Sequence, residues 1–269
     1  MIKYYLKLIL PNFIIRKVNQ FFKRDIRFVG NYRNWNEAAD NSLGYNNKEI
    51  FQKSKESFLK VISKEAKYER DSVLFYSESI NDPLINILNK IQKEKAGCLN
   101  ILDFGGSFGS TYFQNYSVLK NKNKFKWAIV EQEKIVKYIE KFKLEDNLSF
   151  HLSIKNYMTK QTPDVVLFSS TIQYLEYPYK VINYLFKNKI KNIFFLKTPF
   201  FKNKELIKVQ IVPKHIYDAS YPIRIFNESN FLKLFRNNNY KNKVHFFLDE
   251  RIGDIFFKNF TFELNNSNN

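Results

Sequence analysis

The sequence of residues 101–109 is ILDFGGSFG, an apolar run that contains an acid near its end, Asp103, and is followed at once by glycines. The 269-residue chain has seven glycines, and three of them, Gly105, Gly106 and Gly109, fall in this stretch. Glycine permits positive φ angles and lets the backbone approach a ligand closely. The pattern therefore predicts a buried strand that enters a tight turn, followed by a helix whose free N–H groups face an anionic group.

Apolar runs and amphipathic stretches alternate on the C-terminal side of residue 97. This alternation predicts an α/β fold, a Rossmann-like seven-stranded sheet that is mostly parallel, with crossover helices on both faces. The last two runs predict a C-terminal antiparallel hairpin. The predicted strands are Cys98–Phe104, Phe125–Val130, Leu148–Leu152, Val165–Phe168, Ile193–Leu196, Val244–Leu248 and Ile255–Phe262, and the main helices are Thr111–Leu119, Gln132–Phe142, Pro178–Lys187 and one capped by Asn227-Glu228-Ser229.

The sequence before this alternation predicts an N-terminal helical extension over residues 1–96. Its pattern is helical from Asn36 to Lys95, with Asp82 as an N-cap and Pro83 at the first helical position of one helix. The first 24 residues are basic and amphipathic, and Pro11 interrupts them. They are expected either to contact an anionic membrane surface or to pack on the domain. Residues 97–264 form the predicted cofactor-binding domain, and residues 265–269 a frayed tail.

Charge and composition narrow the class of protein. The formal charge is +18, from 44 Lys and Arg against 26 Asp and Glu, but the lysines are scattered and do not by themselves indicate a nucleic-acid partner. The single cysteine, Cys98, excludes an intrachain disulfide and fits a reducing compartment. No apolar stretch is long enough to span a bilayer. These features predict a cytoplasmic protein, with a peripheral position at the inner membrane face as the alternative.

Two acids near the turn indicate which nucleotide the fold binds. Asp103 stands directly before the turn, where a carboxylate would repel the pyrophosphate of a dinucleotide. The dinucleotide spacing Gly-x-Gly-x-x-Gly is also broken, because position 107 is Ser107. An acid there suits the amino group of S-adenosylmethionine instead. Glu131, followed by Gln132 after the second strand, is predicted to accept both ribose hydroxyls; the alternative is an acid that only complements a helix dipole.

Several longer segments resemble a known family. They are NYRNWNEAADNSLGY, YERDSVLF, ILDFGGSFGSTYFQ, VEQ, LSFHLSI, PDVVLFSSTIQYLEYP, KTPF and VPKHIYDASYP. Together they resemble class I S-adenosylmethionine-dependent methyltransferases, and in particular a bacterial family often encoded among surface-polysaccharide genes. The resemblance implies a methyltransferase for small-molecule or carbohydrate-type acceptors such as glycan precursors. Ser107 departs from the wider class, in which a third glycine is common there, but its N–H remains, so the turn is expected to persist.

Polar residues after the fourth strand are candidates for the remaining part of the site. Ser169 and Ser170 end that strand and are predicted to line the cofactor, and Gln173 and Tyr174 follow a turn later, where they are predicted to orient the acceptor. The alternative for Tyr174 is packing beneath neighbouring tyrosines. The ends of the fourth and fifth strands carry no carboxylates, so no metal is predicted.

Two histidines and an arginine complete the candidates. His215 lies in an irregular segment with two prolines; it is predicted as a general base, and Tyr217 beside it as a substrate residue. His151, after the third strand, is expected near the adenine. Arg70, in YERDSVLF, is predicted either to bind a carboxylate of a ligand or to hold the helical extension to the sheet.

Three other functions are consistent with parts of the sequence. A nucleic-acid methyltransferase or binder would explain the charge, but no Asn-Pro-Pro-Tyr type motif or RNA-binding module is present. A nicotinamide-dependent oxidoreductase has the same general fold, but the acid at position 103 and the glycine spacing argue against it. A non-catalytic scaffold in a glycan assembly complex is the third.

Overall fold

The computed structural model describes residues 26–44, 48–214, 216, 218–246 and 250–265. The basic N-terminal segment, the tail after Asn265 and the candidate residues His215 and Tyr217 lie outside this part of the chain. Its strands are β1 (Arg27–Tyr32), β2 (Tyr68–Arg70), β3 (Val73–Phe75), β4 (Leu99–Phe104), β5 (Phe125–Val130), β6 (Leu148–His151), β7 (Val165–Ser169), β8 (Asn192–Phe201), β9 (Leu206–Ile211), β10 (Ser220–Asn227), β11 (Tyr240–Phe246), β12 (Arg251–Ile252) and β13 (Ile255–Leu264).

The helices of the same described residues lie mainly between the strands of the C-terminal two thirds. They are α1 (Trp35–Asp40), α2 (Lys48–Ile62), α3 (Asp82–Lys95), α4 (Ser110–Gln114), α5 (Tyr116–Leu119), α6 (Glu133–Ile139), α7 (Ile154–Met158), α8 (Pro178–Lys187) and α9 (Glu228–Asn237), with a 3-10 helix at Ile172–Tyr174. The chain divides into two compact units, which are Met1–Ile50 with Ile207–Ile223, and Phe51–Leu206 with Arg224–Asn269.

The smaller unit is built on antiparallel strands. β1 pairs with β9, with Arg27 opposite Ile211, and β9 also neighbours β10. After β1, Asn34 caps α1, because its side-chain oxygen accepts a hydrogen bond from the Glu37 N–H at 2.9 Å. This unit therefore combines two segments that are distant from each other in the sequence.

The larger unit contains a sheet with the strand order β6, β5, β4, β7, β8, β13, β11. The strands from β4 to β8 are parallel to one another, whereas β13 is antiparallel to β8, β11 and β12. The strand order reverses beside β4, which is where open α/β sheets bind ligands beyond the carboxyl ends of their strands. The predicted fold class, a mostly parallel Rossmann-like sheet that ends in an antiparallel hairpin, is confirmed.

Both faces of this sheet are covered by helices, as parallel strands require. Val166 and Phe168 of β7 belong to the apolar core that includes α8 and α9, whereas Val165 and Leu167 belong to the core that includes α3. Alternate residues of one strand thus face opposite layers. Since both layers are apolar, the strands are hydrophobic nearly throughout, and this is why they are evident in the sequence.

The structure corrects several local predictions. The segment from Asn36 to Lys95 is not helical throughout, because β2 and β3 form a hairpin across Asp71 and Ser72, both of which have positive φ angles of 50° and 65°. The N-cap of α3 is Asn81 rather than Asp82, since the Asn81 side chain accepts from the third helical N–H. The predicted helix Thr111–Leu119 is divided into α4 and α5.

Candidate functional site

The glycine turn follows β4 directly. The Gly105 N–H donates to the Val130 carbonyl of β5 at 2.8 Å, so the chain leaves the sheet only after this residue. Gly105 and Gly109 have φ angles of +70° and +101°. A Cβ at Gly105 would overlap Thr171 Cγ2, and one at Gly106 would lie 2.6 Å from Asp103 Oδ2. The turn thus needs glycine both for its backbone conformation and for the space beside it.

Asp103 lies beneath this turn with no solvent exposure. Its carboxylate has no cationic partner among the described residues, and the neighbouring Trp127 indole N–H lies outside good hydrogen-bond geometry although it lowers the pKa of Asp103. Burial and, to a smaller extent, the charge of Glu131 raise the pKa of Asp103 to about 7, against the lowering effect of the Trp127 indole. Buried carboxylates are normally paired, so an unpaired one under a ligand-binding turn indicates that a positively charged group binds there.

Glu131 is held beside the same turn by two backbone groups. Its Oε1 accepts from the Ser107 N–H at 3.2 Å, and its Oε2 accepts from the Gln132 N–H at 2.6 Å. Ser107 has a φ of +52°, so it adopts the conformation that the missing glycine would have adopted. Burial raises the pKa of Glu131. Because each carboxylate oxygen can accept more than one hydrogen bond, the Glu131 side chain remains able to bind two hydroxyl groups.

The end of β7 and the part of β8 beside it lie next to the turn, on the side of the sheet where the parallel strands have their carboxyl ends. Ser169 is opposite Leu196, and the Ser170 N–H donates to the Leu196 carbonyl at 2.9 Å. Ser170 has a φ of +56°. In the following 3-10 helix, Gln173 is buried, and neither atom of its side-chain amide has a hydrogen-bond partner in the described part of the chain. A buried amide without partners is costly, so a polar ligand or water is expected at Gln173.

The structure thus brings together most of the predicted site residues. Gly105, Gly106, Ser107, Gly109, Asp103, Glu131 and Gln132 surround one turn, and Thr171 links this turn to the segment of Ser169, Ser170, Gln173 and Tyr174. The roles assigned to these residues stay predictions, as do those of His215 and Tyr217. His151 is adjacent to Glu131, since its carbonyl accepts the Glu131 N–H at 3.0 Å, and burial lowers its pKa.

The sequence did not predict the part that the β2–β3 hairpin plays at this turn. Glu69 is buried; it accepts hydrogen bonds from the Ser110 hydroxyl and from the Ser72 N–H, the latter at 2.9 Å. Arg70 donates to the side-chain oxygen of Gln114. Ser110 and Gln114 are the first and last residues of α4, so the hairpin is anchored to the helix that follows the glycines. For Arg70 this contact supports the structural alternative.

Two further observations concern what the described residues lack. They include no group of three or more His, Cys, Asp or Glu side chains that could hold a metal ion. They also include no helix with the length and apolar character needed to cross a membrane.

The similarity of this chain to known proteins is limited to the fold. No protein-family profile matches the chain, and no curated protein matches it in sequence. The N-terminal domain of EvdMO1, solved in the presence of S-adenosylhomocysteine and D-fucose, is similar with a TM-score of 0.50 at 11% identity, over 78% of this chain and 97% of that domain. Magnesium protoporphyrin IX methyltransferase from Synechocystis PCC 6803, with bound S-adenosylmethionine, gives 0.44 at 12% identity over 68% and 77%.

The glycopeptide N-methyltransferase MtfA, in complex with S-adenosylmethionine, gives a TM-score of 0.43 at 8% identity, over 66% of this chain and 93% of that one. At such low identities the similarity concerns architecture alone. The parallel sheet, together with the similarity to the EvdMO1 domain, therefore shows a Rossmann-like α/β fold.

Proposed function

We propose that this protein is an S-adenosylmethionine-dependent methyltransferase that acts on a small-molecule or carbohydrate-type acceptor. The observation that carries the proposal is the Asp103 carboxylate, which is fully buried beneath the glycine turn and has no cationic partner among the described residues. A cation seated on this turn would offset the cost of that buried charge. The ammonium group of the methionine end of S-adenosylmethionine is such a cation, whereas a pyrophosphate would be repelled.

The other residues of the turn fit the rest of the same cofactor. Glu131 is held by the N–H groups of Ser107 and Gln132, which leaves its outward lone pairs to accept the two ribose hydroxyls. Gly106 keeps the backbone of the turn close to Asp103, because any side chain there would contact the carboxylate. The cofactor, when bound, would supply a methyl group on its sulfonium: the acceptor nucleophile would bond to the methyl carbon as the carbon–sulfur bond breaks, and S-adenosylhomocysteine would leave.

Acceleration of such a displacement depends mainly on holding the nucleophile in line with the methyl group. We assign this orientation to the polar residues after β7, in particular Gln173, whose buried amide lacks a partner in the described chain. Transfer to an acceptor hydroxyl is the proposed chemistry, and a base would assist it. His215 stays the proposed base and Tyr174 the second candidate, with Tyr217 as a substrate residue.

The proposed place of this reaction is surface-polysaccharide synthesis, on a capsule or lipopolysaccharide precursor. The resemblance of eight segments to a bacterial methyltransferase-like family supports it. A glycan precursor is a polyhydroxyl acceptor, for which the buried amide of Gln173 is a suitable hydrogen-bonding group. Mass spectrometry of the protein incubated with S-adenosylmethionine and a pool of sugar nucleotides tests this part, and a methylated sugar nucleotide is the expected product.

Calorimetry with S-adenosylhomocysteine tests the cofactor assignment. The wild type is expected to bind it, and the Asp103→Ala, Glu131→Ala double variant is expected to lose binding. The matched control is Glu133→Ala, Asp146→Ala, which removes two carboxylates that form only exposed ion pairs with Lys137 and Lys122. The proposal fails if the wild type does not bind, or if the Asp103 and Glu131 variant binds as tightly as the control.

A further inference from the structure

Lys197 occupies an unusual position in β8. The preceding residue, Leu196, is the last one of β8 to pair with β7, and its carbonyl accepts the Ser170 N–H. Lys197 itself has a φ of +51°, a conformation that residues with side chains rarely adopt. It therefore lies beside Ser170, at the edge of the sheet where the proposed cofactor turn also lies.

The neighbouring strand is shaped to hold Lys197 in this conformation. The Lys197 N–H donates to the side-chain oxygen of Asn259 at 2.7 Å rather than to a strand carbonyl. The pairing of β13 with β8 shifts register between Lys258 and Phe260, where Leu196 and Lys197 of β8 lie opposite the single residue Asn259, so the bulge is in β8. Bulges of this kind reorient side chains near functional sites. Backbone strain supported by a specific contact points to a function for the strained residue.

The charge of Lys197 has no partner in the described part of the chain. Its side chain is half-buried, yet its ammonium forms no ion pair, hydrogen bond or ring contact there. Lys258, on the adjacent strand, is by contrast paired with Glu228 at 2.6 Å. Every other half-buried lysine among the described residues has a contact of this kind; they are Lys53, Lys55, Lys134, Lys208 and Lys258.

Two neutral polar groups without partners lie in β8 or in the 3-10 helix that packs against it. The next residue, Thr198, is fully buried, and its hydroxyl has no hydrogen-bond partner in the described chain. The 3-10 helix that carries the unpartnered Gln173 amide packs against β8. A half-buried cation is stabilised by an anion that shares its surroundings, and unsatisfied donors nearby add hydrogen bonds to such a ligand.

We propose that Lys197 binds an anionic group of the methyl acceptor, a phosphate or a carboxylate. This inference rests on the proposed methyltransferase function and narrows its substrate class to acidic or phosphorylated sugars. Lys197 is then a substrate-binding residue, and neutral sugars are poor acceptors.

Titration of the S-adenosylhomocysteine-loaded protein with glucose 1-phosphate, glucuronate and glucose tests the inference. The wild type is expected to bind at least one of the two anions more tightly than glucose, and the tighter one identifies phosphate or carboxylate as the recognised group. Lys197→Met is expected to weaken this binding about tenfold or more, because a charged hydrogen bond is lost. Lys197→Arg is expected to retain most of it.

Two variants separate the charge from the fold. Lys197→Gly removes the ammonium but suits the positive φ, so it is expected to melt no lower than the wild type and still to lose anion binding. Lys126→Met, at the amino end of β5, removes an exposed charge from the opposite edge and is expected to change nothing. The inference is wrong if the loaded wild type binds neither anion, or if Lys197→Met and Lys197→Gly bind it normally. Failure to bind S-adenosylhomocysteine would instead refute the proposed function.

Discussion

Two regions at the carboxyl edge of the sheet contain residues with positive φ angles, and they differ in the type of residue that adopts this conformation. The turn after β4 uses glycine at two of these positions, Gly105 and Gly109, whereas the end of β7 has Ser170 and the middle of β8 has Lys197. In the turn, a side chain would collide with Thr171 or with the buried Asp103. At Ser170 and Lys197 a side chain is accommodated, at the cost of backbone strain.

The difference indicates what each region binds. A turn rich in glycine brings backbone N–H groups and a buried carboxylate close to a ligand, as a cofactor shared by many enzymes requires. A strained residue that keeps its side chain directs a particular functional group, such as the Lys197 ammonium, toward one substrate. The first region therefore fits the general part of the proposed reaction and the second its specific part.

The largest effect is expected from a side chain at Gly105. Gly105→Ala combines a positive φ of +70° with overlap against Thr171, and it is expected to lower the free energy of unfolding by about 2 to 4 kcal/mol. Gly253→Ala is the matched control, because Gly253 has a φ of +59° but no atom lies within 4 Å of the position that a Cβ would take there. Its expected cost is only about 1 kcal/mol.

Urea denaturation measures both glycine variants, and a third variant isolates the collision. Thr171→Ser removes the Cγ2 atom that the new Cβ overlaps, so it is expected to recover part of the stability lost in Gly105→Ala. Equal losses for Gly105→Ala and Gly253→Ala would show that the turn needs glycine for its conformation only.

Asp103→Asn is expected to stabilise the protein while it strongly weakens cofactor binding. Burial raises the pKa of Asp103 to about 7 from about 3.8, so the folded state binds a proton more tightly than the unfolded state. The stabilising effect of that proton is full below about pH 4 and is lost as the pH rises through about 7. The asparagine of the variant does not ionise, so the variant does not lose stability as the pH rises. At pH 8 its unfolding free energy is therefore expected to exceed that of the wild type by about 2 to 4 kcal/mol.

Denaturation of both proteins at several pH values from 5 to 8 tests the predicted direction of this pH dependence. The difference between the variant and the wild type is expected to grow as the pH rises. A difference that stays constant with pH would mean that Asp103 does not titrate in this range, and normal binding of S-adenosylhomocysteine by the variant would separate Asp103 from the cofactor.

The same ionisation predicts how cofactor affinity depends on pH. Only the ionised Asp103 attracts the ammonium of S-adenosylhomocysteine, so the wild-type affinity is expected to rise about tenfold between pH 6 and pH 8. Calorimetry at these pH values measures it, with Asp103→Asn as the variant whose weak binding is not expected to change. A wild-type affinity that falls with rising pH would contradict the assigned contact.

The sequence predicts the first of the two regions well and the second poorly. Glycines and an acid after an apolar run have local meaning, so Asp103 and the turn could be recognised without a structure. The conformation of Lys197 depends on Asn259, which lies 62 residues later and contacts it only through a bulge. The β2–β3 hairpin has strands of three residues, too short to show a period, and Glu69 meets Ser110 only after folding.

Ser107 shares features with both regions, and its substitution is expected to have the smallest effect on stability. It has a positive φ of +52° although it is not glycine, and its contribution to the site is a backbone N–H that Glu131 accepts. Ser107→Gly relieves strain but adds freedom to the unfolded chain, so the unfolding free energy is expected to change by less than about 1 kcal/mol.

Cofactor affinity separates the backbone of Ser107 from its side chain. Both Ser107→Gly and Ser107→Ala keep the N–H, so both are expected to bind S-adenosylhomocysteine within about twofold of the wild type, since the hydrogen bond to Glu131 persists. Calorimetry of the two variants beside the wild type measures this. A marked loss in both would assign the Ser107 hydroxyl a direct contact with the cofactor, and the turn would then combine backbone recognition with a side chain, as the edge at Lys197 does.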